Sequence, residues 1–290
     1  MKYGIYYAYW EKNWRAEYRP YIEKASKLGF DILEIACTPV PEYTDKEIME
    51  IRNCAEAHGI NLSGGHGPSA DQNIASSDSS VVQGAFRFYE KLFKNLEKLG
   101  ICSIGGGIYS YWPVDYSRKI DKEGDRVRSI NGVREMARMA EDHGITLMLE
   151  VLNRFEGYLL NTAAEGVQFV REIDRKNVKL MLDTFHMNIE EDSFGDAIRS
   201  TKDLLGHFHV GECNRRVPGK GRMPWREIGD ALNDIHYNGT VVMEPFVQMG
   251  GQVGSDIKIW RDMSKGGDQD KLDRDAALSL AFTKYIFEGC

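Results

Sequence analysis

Four polar residues in this chain each close an apolar run. Glu150 follows Leu147-Met148-Leu149, Asp183 follows Leu180-Met181-Leu182, His209 follows Gly206-His207-Phe208, and Glu244 follows Val241-Val242-Met243. Each run reads as a buried strand, so each polar group is set at the rim of a hydrophobic core. A single acid at such a place is commonly a cap or an ion-pair partner. Four in succession ask for more, because three carboxylates gathered in a low dielectric repel one another. A divalent cation relieves that repulsion. Carboxylate and imidazole donors suit Mn²⁺, Co²⁺ or Mg²⁺ better than a thiolate-preferring metal, and no cysteine stands at these positions.

A second set of polar residues follows the same runs. Glu156, His186 and Arg215 fall in the segments after the fifth, sixth and seventh strands, which reads as three βα loops. A carboxylate, an imidazole and a guanidinium can grip a polyhydroxylated or carbonyl substrate. They can equally form loop ion pairs, such as Arg215 with Glu156. Aromatic residues follow other strands: Tyr6 and Trp14 the first, Trp112 the fourth, Phe246 the eighth. The segment from Gly105 through Gly107 to Trp112 reads as an aromatic substrate wall rather than a phosphate cradle. His207 shares a strand face with His209 one layer deeper, and is expected to be a hydrogen-bonded core histidine.

These residues need elements to hold them. Strand patterns occur at 3–7, 31–36, 60–64, 101–105, 145–150, 178–183, 204–209 and 239–244. Helical patterns lie near 18–28, 45–58, 80–99, 125–143, 163–174, 195–202, 225–236 and 270–288. Strand then helix, repeated eight times, implies parallel strands with crossover helices. Several helix-to-strand junctions carry a glycine (Gly29, Gly59, Gly100, Gly144 and Gly239), the residue that ends a helix in the left-handed conformation without a Cβ penalty. The expected fold is α/β, a (β/α)8 TIM barrel, as one domain over residues 1–290. An open doubly wound sheet is the alternative, but no Gly-x-Gly-x-x-Gly turn follows the first strand.

Composition narrows the class further. The 290 residues carry 37 Lys and Arg against 44 Asp and Glu, a formal charge of −7. That balance argues against a protein built to hold nucleic acid. The five cysteines, Cys37, Cys54, Cys102, Cys213 and Cys290, form no Cys-x-x-Cys pair and are odd in number. A disulfide framework is not expected, and a reduced, cytoplasmic setting fits. No run of 18 apolar residues exists, so no membrane partner is expected.

The segments around the site residues resemble a known family. Leu149-Glu150-Val151-Leu152-Asn153-Arg154-Phe155-Glu156, Met181-Leu182-Asp183-Thr184-Phe185-His186-Met187-Asn188, His209-Val210-Gly211-Glu212-Cys213-Asn214-Arg215 and Met243-Glu244-Pro245-Phe246 together resemble the ketose 3-epimerases, the group of D-tagatose and D-psicose (D-allulose) 3-epimerases within the xylose-isomerase-like barrels. The resemblance runs over essentially the whole chain and is nearest to the psicose branch. It implies a metal site at Glu150, Asp183, His209 and Glu244, holding one Mn²⁺ or Co²⁺. It implies that Glu150 and Glu244 double as two acid–base groups, and that Glu156, His186 and Arg215 grip the O1 and O2 end of the ketose. Tyr6, Trp14, His66, Gly107, Trp112 and Phe246 are then candidates for the rest of the substrate pocket, and Ser63 and His66 on the third strand would make it more polar.

The implied reaction is inversion at C3 of a free ketohexose, by deprotonation on one face and reprotonation on the other. Three other readings stand beside it: an aldose–ketose isomerase using the same site, a sugar-binding module without turnover, and an apurinic endonuclease of the wider barrel group, against which the net charge of −7 argues. The resemblance also implies a homodimer or homotetramer. The segment 250–269 is long for a βα loop, and covers the active site, lines a subunit contact, or packs on itself.

Overall fold

The computed structural model describes residues 1–289; Cys290, one of the five cysteines, lies outside the described residues. The strands are β1 (Lys2–Tyr6), β2 (Ile32–Ala36), β3 (Asn61–Gly65), β4 (Ser103–Gly106), β5 (Thr146–Glu150), β6 (Val178–Asp183), β7 (Leu205–Val210) and β8 (Thr240–Met243). They pair in sequence order and close on themselves as a barrel. The closing seam is parallel like the rest, running from Lys2 beside Thr240 to Ile5 beside Met243.

Among the described residues ten α-helices accompany them: α1 (Arg19–Lys27), α2 (Asp45–His58), α3 (Ser79–Leu99), α4 (Lys122–Glu141), α5 (Ala163–Ile173), α6 (Thr184–Glu190), α7 (Phe194–Thr201), α8 (Trp225–Asp234), α9 (Gly251–Asp256) and α10 (Gln269–Glu288). Their boundaries follow local chemistry. Thr44 and Glu47 form a reciprocal capping box that starts α2, and Gly59 ends it at φ +65°, satisfying the free backbone groups of both termini. Gly29, Gly100 and Gly144 also take positive φ at helix-to-strand junctions. Gly239 does not; before β8 the left-handed residue is His236, at φ 54°. The junction glycine expected there is thus replaced by a histidine three residues earlier.

Two helices have no counterpart in the sequence patterns. α6 is seven residues long and starts directly from β6, with the Asp183 side chain capping the backbone N–H of Phe185. His186 therefore sits on a helix, not in a loop. α9 lies inside the long segment 250–269, anchored by Val253 N–H to the Lys12 carbonyl at 2.9 Å.

The barrel interior is filled by unequal neighbours. A Cβ on Gly105 of β4 would come within 2.6 Å of Met181 Sδ, and one on Gly206 of β7 within 2.6 Å of Met148 Sδ. Glycine on one strand thus makes room for methionine on another, which is how side chains of a small barrel pack solid rather than leave a pore. Among the described residues no helix is long and apolar enough to cross a membrane.

Candidate active site

The site opens at the C-terminal ends of the strands, as a cavity of about 520 Å³ lined by Glu150, His209 and Glu244 together with Glu156, His186 and Arg215. Asp183, 1% exposed, is gathered to the same centre by its closeness to Glu150, His209 and Glu244. Tyr6, Trp14, His66, Gly107, Trp112 and Phe246 all contribute to the wall. Every residue singled out from the sequence for this site is therefore brought to one place, except Ser63. Ser63 turns aside: its hydroxyl donates to Glu34 Oε2 at 2.8 Å, so the polarity it was expected to lend the pocket is spent elsewhere.

The four strand-end residues interlock through Asp183. Asp183, His209 and Glu244 offer ligand atoms within 4.8 Å of one another, and so do Glu150, Asp183 and His186. His209 Nδ1 lies 3.7 Å from Glu244 Oε1 and, though buried, has no hydrogen-bond partner. An imidazole nitrogen without a hydrogen-bond partner, gathered with two carboxylates, is a metal-ligand atom in kind, and the residues present fit a divalent cation. Burial, followed by the charges of Glu244 and Asp183, pushes the Glu150 carboxyl well above the usual carboxylate range. Burial alone would lower the His209 imidazole, but Glu34 and Glu244 together outweigh it and raise it well above its ordinary value.

Arg215 reaches the same centre from the loop after β7. Its Nη1 is 3.1 Å from Glu244 Oε2 and 3.3 Å from Asp183 Oδ2, and its Nη2 is 3.4 Å from Glu156 Oε1. The guanidinium lies on the Phe185 ring, 3.6 Å from its centroid. The loop ion pair with Glu156 exists, but as one edge of a network that includes two strand-end acids. Arg215 itself sits at φ 60°. Its loop is wound round Glu212, a fully buried carboxylate that accepts from Gly219 N–H at 2.7 Å, Met223 N–H at 3.1 Å and Trp225 Nε1–H at 2.9 Å.

His186 and Glu156 share a support that sequence reasoning missed. The backbone N–H of Asn153 donates to His186 Nδ1 at 3.2 Å, and its Nδ2 lies 2.7 Å from the same nitrogen and 3.2 Å from Glu156 Oε1. With Nδ1 accepting, a neutral His186 carries its proton on Nε2. That edge faces Glu150 Oε1 at 3.6 Å and Asp183 Oδ2 at 3.7 Å. Burial lowers the His186 pKa, though the neighbouring carboxylates oppose it. Glu156 stays below the usual range: burial would raise it, but His186, Arg215 and Asn153 prevail.

Glu34, on β2, is the second residue the sequence reading passed over. It is 1% exposed, and its Oε1 lies 2.8 Å from His209 Nε2. Burial would raise its pKa, yet His209 and His207 hold it far below the carboxylate range. His207 is buried as expected, with Nδ1 2.8 Å from Thr240 Oγ1.

Part of the cavity wall is aromatic and glycine-rich. Trp14 and Phe246 meet edge to face at 6.5 Å, and Trp14 meets Trp112 in the same way. Gly106 holds φ +117°, and a Cβ there would fall 2.3 Å from the His66 carbonyl oxygen, so only glycine lets these two loops touch. The segment 250–269 completes the rim: Gln252, Asp256 and Ile257 line the cavity, and Trp14 Nε1–H donates to Asp256 Oδ2 at 2.7 Å.

Residues 22–263 match the family model described as a xylose isomerase-like TIM barrel. The chain is 60% identical over 288 residues to a D-psicose 3-epimerase of Ruminiclostridium cellulolyticum, covering 99% of this chain and 98% of that one. Among solved structures, a D-psicose 3-epimerase with D-tagatose from Clostridium cellulolyticum H10 superposes with a TM-score of 0.98 at 60% identity, over 99% of both chains. A D-psicose 3-epimerase solved in the presence of D-fructose gives 0.97 at 57% identity, again over 99% of both.

Proposed function

Because this chain belongs to the xylose isomerase-like TIM barrel family, and within it to the psicose branch of the ketose 3-epimerases, it is an isomerase that acts as a carbohydrate epimerase, and we propose that it inverts C3 of free ketohexoses with one divalent cation. D-Psicose and D-fructose form one substrate pair and D-tagatose and D-sorbose the other. Glu150, Asp183, His209 and Glu244 would hold the cation, Mn²⁺ or Co²⁺, with Mg²⁺ admitted by the same donors. The observation that carries the reading is the convergence of Glu150 and Glu244 on one buried centre from β5 and from just beyond β8.

Inversion at C3 needs a proton taken from one face of the carbon and returned to the other. One carboxylate cannot serve both faces, and two on opposite sides of a bound sugar can. The cation, when bound, supplies Lewis-acid polarisation of the C2 carbonyl, which makes the C3 proton acidic enough for a carboxylate base. Glu150 and Glu244 exchange the roles of base and acid with the direction of reaction. Glu156, His186 and Arg215 orient the O1 and O2 end, with His186 Nε2–H and the guanidinium as donors. The aromatic wall of Tyr6, Trp14, Trp112 and Phe246 stacks on the sugar and excludes water. Assembly as a homodimer or homotetramer is part of the same proposal, and light scattering on an eluting column tests it.

Solvent isotope exchange tests the chemistry. In D2O with Mn²⁺, D-fructose and D-psicose should gain deuterium at C3. Deuterium at C1 instead would favour the aldose–ketose isomerase reading, and no exchange or turnover would favour the binding module. Glu150→Gln and Glu244→Gln should each lower epimerisation by about 10²- to 10⁴-fold. Near-normal inversion in either metal-loaded variant would sink the two-base scheme.

A further inference from the structure

Glu34 does not line the cavity, yet it is tied to a residue that does. It stands in the middle of β2, where register sets it beside Tyr6 on β1 and Ser63 on β3. Its neighbours Ile32, Leu33 and Ile35 are all buried hydrophobics. An ionised acid in such a core is costly unless its oxygens are met. They are met by design of position: Oε1 faces His209 Nε2 at 2.8 Å, and Oε2 accepts the Ser63 hydroxyl at 2.8 Å and stands 3.2 Å from His207 Nε2.

A carboxylate only accepts, and a neutral imidazole has one N–H to give. A neutral His209, the form a metal ligand requires, therefore carries its hydrogen on the nitrogen that faces Glu34, and its lone pair on Nδ1. Nδ1 is the buried nitrogen without a hydrogen-bond partner, directed at Glu244. In the opposite tautomer a lone pair would meet Glu34 Oε1 at hydrogen-bond distance, and an N–H would occupy the donor position among Asp183 and Glu244.

We propose that Glu34 is the positioning residue of His209: across the barrel, it selects the imidazole tautomer and orientation that present Nδ1 to the divalent cation. This rests on the reading of His209 as a metal ligand. Carboxylates placed behind metal-bound imidazoles orient the ring and strengthen it as a donor, and their loss weakens metal affinity by about 10- to 100-fold.

The test is Mn²⁺ affinity of the EDTA-treated full chain, read from the electron paramagnetic resonance signal of free Mn²⁺. Wild type should bind one Mn²⁺ per chain, and Glu34→Gln should raise Kd by about 10- to 100-fold. An unchanged Kd in a folded Glu34→Gln protein overturns the proposal. So do two ions per chain, since Glu34, His207 and His209 would then be ligands of their own. Absence of Mn²⁺ binding by wild type removes the underlying metal reading and this inference with it. Should Glu34→Gln fail to fold, ¹⁵N-histidine spectra of wild type saturated with Mg²⁺ decide. A protonated Nε2 and bare Nδ1 on His209 are expected, and the reverse pattern overturns the proposal.

Discussion

At the scale of single residues, the site is a set of polar groups whose protonation is dictated by what surrounds them. His66 shows this most simply. Its Nδ1 is 3.0 Å from Thr38 Oγ1, its ring stacks on Phe88, and burial pulls its pKa down to about 3. The unfolded chain protonates this imidazole near pH 6.5, while the folded one resists until about pH 3. Stability from this residue is therefore present above the unfolded pKa and lost as pH falls toward the folded one. Between pH 7 and pH 5 the loss should be about 2 kcal/mol. His66→Asn, whose amide can keep the Thr38 contact without titrating, should show a shallower fall in urea-unfolding free energy over that interval; an identical slope would refute the assignment. The residue scale is also where the sequence is most readable. Glu150, Asp183, His209 and Glu244 each end an apolar run, and a polar group at the end of a strand draws the eye. Glu34 interrupts a run in its middle, within Ile32-Leu33-Glu34-Ile35-Ala36, so it reads as part of the strand. Asn153 supports the site through hydrogen bonds to His186 and Glu156, which no spacing announces.

At the scale of elements, strand ends place Glu150, Asp183 and His209, Glu244 follows β8 directly, α6 carries His186, and loops carry Glu156 and Arg215. Arg215 depends on a loop that has Glu212 for a core. Removing that carboxylate leaves Gly219 N–H, Met223 N–H and Trp225 Nε1–H without their acceptor, and an unmet buried donor costs about 1–3 kcal/mol. Glu212→Ala should therefore destabilise the protein by about 3 kcal/mol or more and raise KM for ketose through a displaced Arg215. Denaturant unfolding and steady-state kinetics check the two effects separately, and a variant as stable as wild type would show that the loop folds without this core. The strands and long helices were visible in the sequence because period-2 and period-3.6 patterns persist over enough residues. α6 and α9 were not. α6 spans seven residues and is nucleated by the Asp183 cap. α9 contains two glycines in six residues and is held by Lys12, with Asp256 at its end tied to Trp14, contacts far away in sequence that no local propensity reports.

At the scale of the molecule, the cation proposed for the site would be part of the fold's stability as well as its chemistry. A ligand that binds only the folded state adds about 2.7 kcal/mol when present at 100 times its Kd. Treatment with EDTA should lower Tm by several degrees, and Mn²⁺ should restore it in a concentration-dependent way, while a Tm indifferent to both would contradict a site formed by Glu150, Asp183, His209 and Glu244. The sequence conveyed the barrel because eight repeats of one unit leave few other topologies. It could not convey that β2 reaches across the interior to β7. That contact, between Glu34 and His209, spans 175 residues, and the seam joining β1 to β8 spans more still. During synthesis Tyr6, Trp14, Glu34 and Trp112 leave the ribosome first, Glu150, Asp183, His209 and Glu244 follow in order, and Phe246 comes after them. A half-made chain therefore owns part of the pocket wall and none of the four strand-end residues, then strand-end residues with no closed ring to confine them. On the proposed site, a competent centre forms only once the chain has passed β8 and Glu244, so an unfinished product of translation would have nothing with which to act on sugar.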